Sequence, residues 1–178
     1  MSIGLKRGTA ELTEYNREWK ILADETIERL WSIFGSEAKD IQHFGSTSIP
    51  NIKAKPIIDI TVAVDSFDKI EALIPIMKQN GFQRYENINP EWRLFCGYAD
   101  STLSVDTYHI HIMKYMSEQW QYCINFRNYM IANPSEARKY EKIKIDLADK
   151  FKNDRESYRI NKSIFIEQIL KKQGYVNN

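Results

Sequence analysis

Three residues able to hold a metal or move a proton sit within two apolar runs. Asp59 lies in Lys55-Pro56-Ile57-Ile58-Asp59-Ile60-Thr61, and His109 and His111 lie in Thr107-Tyr108-His109-Ile110-His111-Ile112-Met113. An ionised carboxylate among Ile and Val is costly unless it is paired or bound to a metal. Two histidines at alternate positions of a strand project from one face. There they can bind a divalent cation or phosphate, or exchange protons near neutral pH. A structural reading stands beside each: Asp59 on a half-exposed sheet face, and the histidines bonded to backbone or water. Ahead of Asp59 comes His43-Phe44-Gly45-Ser46-Thr47-Ser48. Glycine lets the backbone approach an anion closely, successive N–H groups can cradle phosphate oxygens, and Ser46, Thr47 and Ser48 add hydroxyl donors. The plainer alternative is a strand-to-helix turn with a serine cap. Thr61 occupies the position two residues past Asp59, where a second metal-binding acid would be expected.

Three basic residues are candidates for phosphate contact. Arg93 shares a predicted strand face with Glu91, and it pairs with that acid or with Asp59, or holds a phosphate bidentately. Arg127 lies among Phe126, Tyr129 and Met130. Lys162 stands at helical spacing from Tyr158, Phe165 and Ile169, so it either snorkels along a packed face or reaches a phosphate between helix and sheet. Asp106 has the wrong parity to join His109 and His111 unless a bulge intervenes.

Elements that position these residues follow from periodicity. Apolar residues recur at helical spacing from Thr13 to about Phe34, with Gly35 as the stop. Residues 1–12 read as loosely ordered. Strands are predicted at 39–44, 56–64, 82–86, 92–98 and 103–113, with Asn89-Pro90 and Ala99-Asp100-Ser101 as separators. Residues 67–79 read as a helix capped by Asp65 or Ser66 and ended by Asn80-Gly81. Helices then fill the last third: Ser117 to Ala132, one opened by Asn133-Pro134-Ser135-Glu136, and one from Asp154 to about Lys172. The expected fold is α+β, with a small mixed sheet, flanking helices and a helical C-terminal part. The sequence divides into a core over 1–116 and a helical part over 117–178, packed as one unit.

The 178 residues suit one compact domain, and 43% hydrophobic content can build a core. A net charge of +1 gives no electrostatic argument for a nucleic-acid partner. The lysines Lys139, Lys142, Lys144, Lys150 and Lys152 alternate with acids and read as a solvated helical face, although Lys144 also falls on one helix face with Ala137, Tyr140, Leu147 and Phe151. Cys96 and Cys123 lack metal or redox spacing and read as small buried hydrophobes. With no apolar leader and no bilayer-length run, the expected location is cytoplasmic, without membrane partners.

As an ordered set, several segments resemble the GrpB family, a group of small bacterial proteins with a nucleotidyltransferase-like fold. They are His43-Phe44-Gly45-Ser46-Thr47-Ser48-Ile49-Pro50, Ala54-Lys55-Pro56-Ile57-Ile58-Asp59-Ile60, His109-Ile110-His111, Phe126-Arg127-Asn128-Tyr129, Asn133-Pro134, Tyr140 with Lys144, Leu147-Ala148, and Tyr158 with Lys162 and Phe165. The resemblance runs from about Trp19 to Ile169. Tyr108 stands where family members often have a further histidine, and Asn128 where an aspartate is common. In some bacteria a similar domain follows dephospho-CoA kinase. The resemblance implies a fold more than a reaction.

Two functions are expected from different classes. In a nucleotidyltransferase-type enzyme, Gly45 and Ser46 cradle a triphosphate, and Asp59 holds a divalent metal, Mg²⁺, Mn²⁺ or Zn²⁺. His109 and His111 replace the missing carboxylates as ligands or acid/base groups, and Arg93, Arg127 and Lys162 neutralise phosphate charge. In a non-catalytic module, the same pocket binds a nucleotide or another small phosphorylated ligand. A scaffold that has lost transferase activity is the blandest reading.

Overall fold

A computed structural model describes residues 3–85, 92–99 and 101–175. Eleven elements run in the order β1 (Leu5–Lys6), α1 (Glu18–Phe34), β2 (Ala38–Phe44), β3 (Ile58–Val64), α2 (Ile70–Gln79), β4 (Phe82–Tyr85), β5 (Trp92–Tyr98), β6 (Val105–Lys114), α3 (Glu118–Ala132), α4 (Pro134–Lys150) and α5 (Arg155–Lys172). The expected α+β class is met. Among the described residues, the strands form one six-stranded sheet in the order β2-β3-β6-β5-β4, with β1 paired to the start of β6. Strands β3 and β6 are parallel and the other pairs antiparallel, so the sheet is mixed.

The period of two sorts the sheet into an apolar face and a polar one. Ile58, Ile60, Val62 and Val64 of β3, with Ile110 and Ile112 of β6 and Phe95 of β5, form one side. They pack in one core with Ala23, Leu30 and Phe34 of α1 and Ile70 and Met77 of α2. Asp59, Thr61, His109 and His111 have the opposite parity. A second core lies in the C-terminal helices, where Phe126, Met130, Ala137, Tyr140, Ile166, Ile169 and Leu170 enclose Ile49 and Ile52 from the loop before β3. That loop belongs to the sheet half of the chain, and its two isoleucines tie the helical part to it.

Four local expectations need correction. Residues 3–12 are not loose: Leu5 and Ala10 are buried, and β1 pairs with Asp106 and Val105. Helix α1 begins at Glu18, because Thr13 exchanges two backbone hydrogen bonds with Ala54 and holds the segment before the helix extended. Helix α2 begins at Ile70, since Ser66 caps a turn at Asp68 instead of the helix. The Asn133 side chain does not cap α4; its amide donates back to the Tyr129 carbonyl, and Pro134 alone sets the start. Asp154, by contrast, accepts the Ser157 amide as the cap of α5. Asn89-Pro90, Glu91 and Asp100 lie outside the described residues.

Candidate metal and phosphate site

Strand register decides the site. Parallel pairing of β3 with β6 sets Asp59 beside His109 and Thr61 beside His111. The Asp59 Oδ1 lies 3.3 Å from His109 Nδ1 and 3.4 Å from His111 Nε2. Ligands held about 2.1 Å from one ion at tetrahedral angles stand about 3.4 Å apart. The three donor atoms also lie within 4.8 Å of one another, so they fit one metal ion. Their side chains are 27, 15 and 19% exposed, which leaves a way in. Two imidazoles and one carboxylate suit Zn²⁺, Mn²⁺ or another transition ion better than Mg²⁺, which prefers oxygen ligands.

The turn before β3 is fitted to this carboxylate. Gly45 has φ +71°, and a Cβ there would stand 2.5 Å from Asp59 Oδ2. Glycine is therefore required twice, for its backbone angle and for the close approach. The hydroxyls beyond it are mostly used within the fold. Ser46 Oγ meets Tyr140 Oη at 3.0 Å, Ser48 Oγ donates to the Gly45 carbonyl, and buried Thr47 meets His43 Nε2 at 2.9 Å. Only Ser46 of the three points its hydroxyl toward the helical layer.

Burial opposes ionisation of Asp59, but the hydrogen bonds from His109 and His111 outweigh it and hold its pKa well below the usual carboxylate range. Burial likewise opposes protonation of His109, and the carboxylates of Asp106 and Asp59 reverse the balance and raise its pKa. For His111 burial prevails over Asp59, and its pKa is lowered. The ring of His111 is held between Phe44, edge-on at 5.1 Å, and Trp92, tilted at 5.6 Å.

Asp106 does join this face. Gly97 of β5 pairs with Tyr108, whereas Tyr98 pairs with Asp106, so Thr107 is an extra residue in β6 and the parity shifts. Asp106 Oδ2 then lies 3.5 Å from His109 Nε2 and accepts Arg155 Nη1 at 2.7 Å. Arg155 Nη2 is 3.3 Å from the same imidazole nitrogen. A carboxylate behind a ligating histidine fixes its tautomer and strengthens it as a ligand, and loss of such a partner typically costs 10–100-fold in metal affinity. Asp106→Asn is expected to weaken Co²⁺ binding by about tenfold or more, read by calorimetric titration.

The basic candidates fare differently. Lys162 is half-buried, its Nζ 6.0 Å from the Tyr158 ring. Arg93 does not face Asp59. It pairs with Ile112 on the apolar side of the sheet, and its guanidinium covers Phe67 at 4.6 Å. Arg127 ties α3 to the sheet edge, donating to the His43 carbonyl at 2.7 Å and to Gln42 Oε1 at 2.6 Å. Arg155 is the arginine beside His109, and Lys55, on whose charge Asp59 and Asp106 act, has its Nζ 4.9 Å from the Tyr158 ring. Nor is Lys144 part of a solvated face: it is 1% exposed and donates to the Lys53 carbonyl. Its spacing from Ala137 and Tyr140 was the usable signal. Thr61 is fully buried and its hydroxyl has no hydrogen-bond partner among the described residues, so the position of a second acid is closed to solvent.

His43 points away from Asp59, pairing with Ile60 on the α1 side. Burial, despite the pull of Asp59, lowers its pKa to about 4. The unfolded chain therefore binds this proton first as pH falls. Stability is complete above about 6.5 and declines toward pH 4, by about 3 kcal/mol in total. His43→Gln is expected to remove most of that decline, measured as urea midpoints between pH 7 and 4.5.

Comparison with known proteins now decides the family. The model of the family described as GrpB protein matches residues 9–172. The chain belongs to the GrpB family. The "Glutamate-rich protein GrpB" of Alkalihalophilus pseudofirmus is 35% identical over 170 residues, covering 94% of this chain and 98% of that protein. A crystal structure of the conserved protein GrpB from Enterococcus faecalis has a TM-score of 0.81 at 29% identity, covering 91% of this chain and 96% of that one. Dephospho-CoA kinase of Mycobacterium tuberculosis (strain H37Rv) is 26% identical over 164 residues, which cover 80% of this chain and 40% of that protein. The GrpB-like segment is thus one part of a larger kinase there.

Proposed function

We propose that this GrpB protein binds a divalent transition-metal ion through Asp59, His109 and His111, and beside it a nucleotide or other small phosphorylated ligand. The observation that carries this reading is the meeting of one carboxylate oxygen with two imidazole nitrogens at 3.3 and 3.4 Å. Gly45, Ser46 and Lys162 border the ligand, and Lys55 and Arg155 replace Arg93 and Arg127 as its charge-neutralising residues. Thr47 and Ser48 act indirectly, by holding the turn. When bound, the metal supplies electrostatic stabilisation to a phosphate oxygen. The chain's own part is to orient that phosphate, with His109 and His111 serving as ligands or as proton carriers in a nucleotidyltransferase-type transfer.

The buried Thr61 favours a second reading. Without a second acid the pocket holds one metal, and a non-catalytic nucleotide-binding module needs no more. The free thiols of Cys96 and Cys123 support a reducing, cytoplasmic setting. Among the described residues no helix is long and apolar enough to cross a membrane. Calorimetric titration of Mn²⁺, Zn²⁺ and Mg²⁺, followed by nucleotide binding and turnover with and without the bound ion, tests the proposal. Metal-dependent nucleotide binding with turnover supports the enzyme, nucleotide binding without turnover supports the module, no metal binding overturns the metal site, and no nucleotide binding with or without metal overturns both.

A further inference from the structure

Several lysines of this protein are paired with carboxylates, and three inward ones are not. Lys20, Lys39, Lys53, Lys69 and Lys139 each meet a carboxylate within 3.0 Å. Among the described residues, Lys55, Lys144 and Lys162 have no carboxylate within ion-pair distance, although Lys144 is buried and the other two are half-buried. The ammonium groups of Lys55 and Lys162 flank one ring, that of Tyr158, at 4.9 and 6.0 Å. Lys144 lies 4.7 Å from the Tyr140 ring, and the Tyr140 hydroxyl meets Ser46, next to the glycine that abuts Asp59. Both tyrosines are buried, so these contacts hold the ammonium groups in place.

The acids that act on Lys55 are already engaged, Asp59 by two imidazoles and Asp106 by Arg155, and Glu141, which acts on Lys144, accepts from Arg138 and the Lys53 amide. Three potential positive charges, held by Tyr158 and Tyr140, therefore lack an ion-pair partner among the described residues. A single phosphate brings at most two charges, whereas a di- or triphosphate chain brings three or four. We propose that Lys55 and Lys162, backed by Lys144, form a polyphosphate subsite beside the Asp59-His109-His111 triad, so that the ligand carries a di- or triphosphate chain. The subsite deepens the phosphate-ligand reading above and does not depend on the metal.

Charge coupling gives the subsite a distinctive signature. Burial, then Lys162 and Arg155 of α5, push the Lys55 amine down to about 7, against the pull of Asp59 on β3 and Asp106 on β6. Burial, then Lys162, bring Lys144 to about 7, against Glu141 on its own helix. At pH 8 both amines are mostly neutral, and a polyanion draws protons back onto them. Binding is coupled to proton uptake.

Isothermal titration of the full chain at pH 8, in two buffers of different ionisation enthalpy, tests this with tripolyphosphate, pyrophosphate, orthophosphate and ATP. Tripolyphosphate is expected to bind at least tenfold tighter than orthophosphate and to take up about one proton or more. Lys162→Met and Lys55→Met are each expected to weaken tripolyphosphate by about tenfold while Co²⁺ affinity stays within twofold, which also shows that the variants fold. ATP binding tighter than tripolyphosphate identifies a nucleotide, and equal binding identifies the bare chain; either supports the subsite. Tripolyphosphate no tighter than orthophosphate, binding without proton uptake, or unchanged affinity in both variants overturns it. Tripolyphosphate binding in a protein that takes up no Co²⁺ supports the subsite and overturns the metal site alone.

Discussion

Asp59→Ala is expected to lower the affinity for Zn²⁺, Mn²⁺ or Co²⁺ by at least about 100-fold. Asp59 contributes the only negative charge of the three-ligand set, and its Oδ1 is the atom both imidazoles approach. Two neutral histidines alone make a two-coordinate site, far short of the three protein ligands that metal centres with an open position commonly keep. Removing the carboxylate also ends its hydrogen bonds with His109 and His111, the contacts that the two rings share. The fold should persist, because Asp59 lies on the polar face and outside both cores. Calorimetric titration, with a thermal melt of the metal-free protein as control, measures the effect. Metal affinity within threefold of the parent protein would remove Asp59 from the site.

Gly45→Ala is expected to cost about 3 kcal/mol, which for a chain of this length lowers the melting temperature by roughly 6–12 °C. Two penalties combine. The first is backbone strain, since φ +71° with ψ −171° is a region essentially reserved for glycine. The second is overlap, because the new Cβ would sit 2.5 Å from Asp59 Oδ2 and 3.0 Å from Asp59 Cβ. The second contact cannot relax by rotating a side chain, so the turn must move away from β3. Asp59 then shifts from its place opposite His109, and metal affinity should fall together with stability. A variant that melts as the parent does would show that the turn adopts another backbone without cost.

Much of this site was legible because strand parity is local. The alternation of Ile58, Ile60 and Val62 with Asp59 and Thr61 assigns faces whatever the rest of the chain does, and His109-Ile110-His111 obeys the same rule. Gly45 was legible too, since no other residue suits a turn that must pass close to a neighbouring group. Arg93 and Arg127 were misplaced for one reason. A basic residue on a strand or helix has a face, but nothing local says which face meets the site. Register with Ile112 turns Arg93 toward Phe67, and the open edge of β2 draws Arg127 to the His43 carbonyl. Lys144 was read by charge pattern as solvated, although its spacing from Ala137 and Tyr140 set it on the packed side.

By itself, then, the sequence determined the element types, the α+β class, the family, and the shared face of Asp59, His109 and His111. Those depend on spacing over a few residues, where backbone geometry alone dictates direction. Tertiary structure decided that β3 and β6 run parallel in the register that brings Asp59 to His109, that one extra residue in β6 turns Asp106 to the same imidazole, that Arg155 reaches that imidazole too, and that Lys55 meets the Tyr158 ring. The β3–β6 pairing and the contacts of Arg155 and Lys55 join segments about 50 to 100 residues apart in the chain. Burial of the two cores sets them, and no local period encodes them.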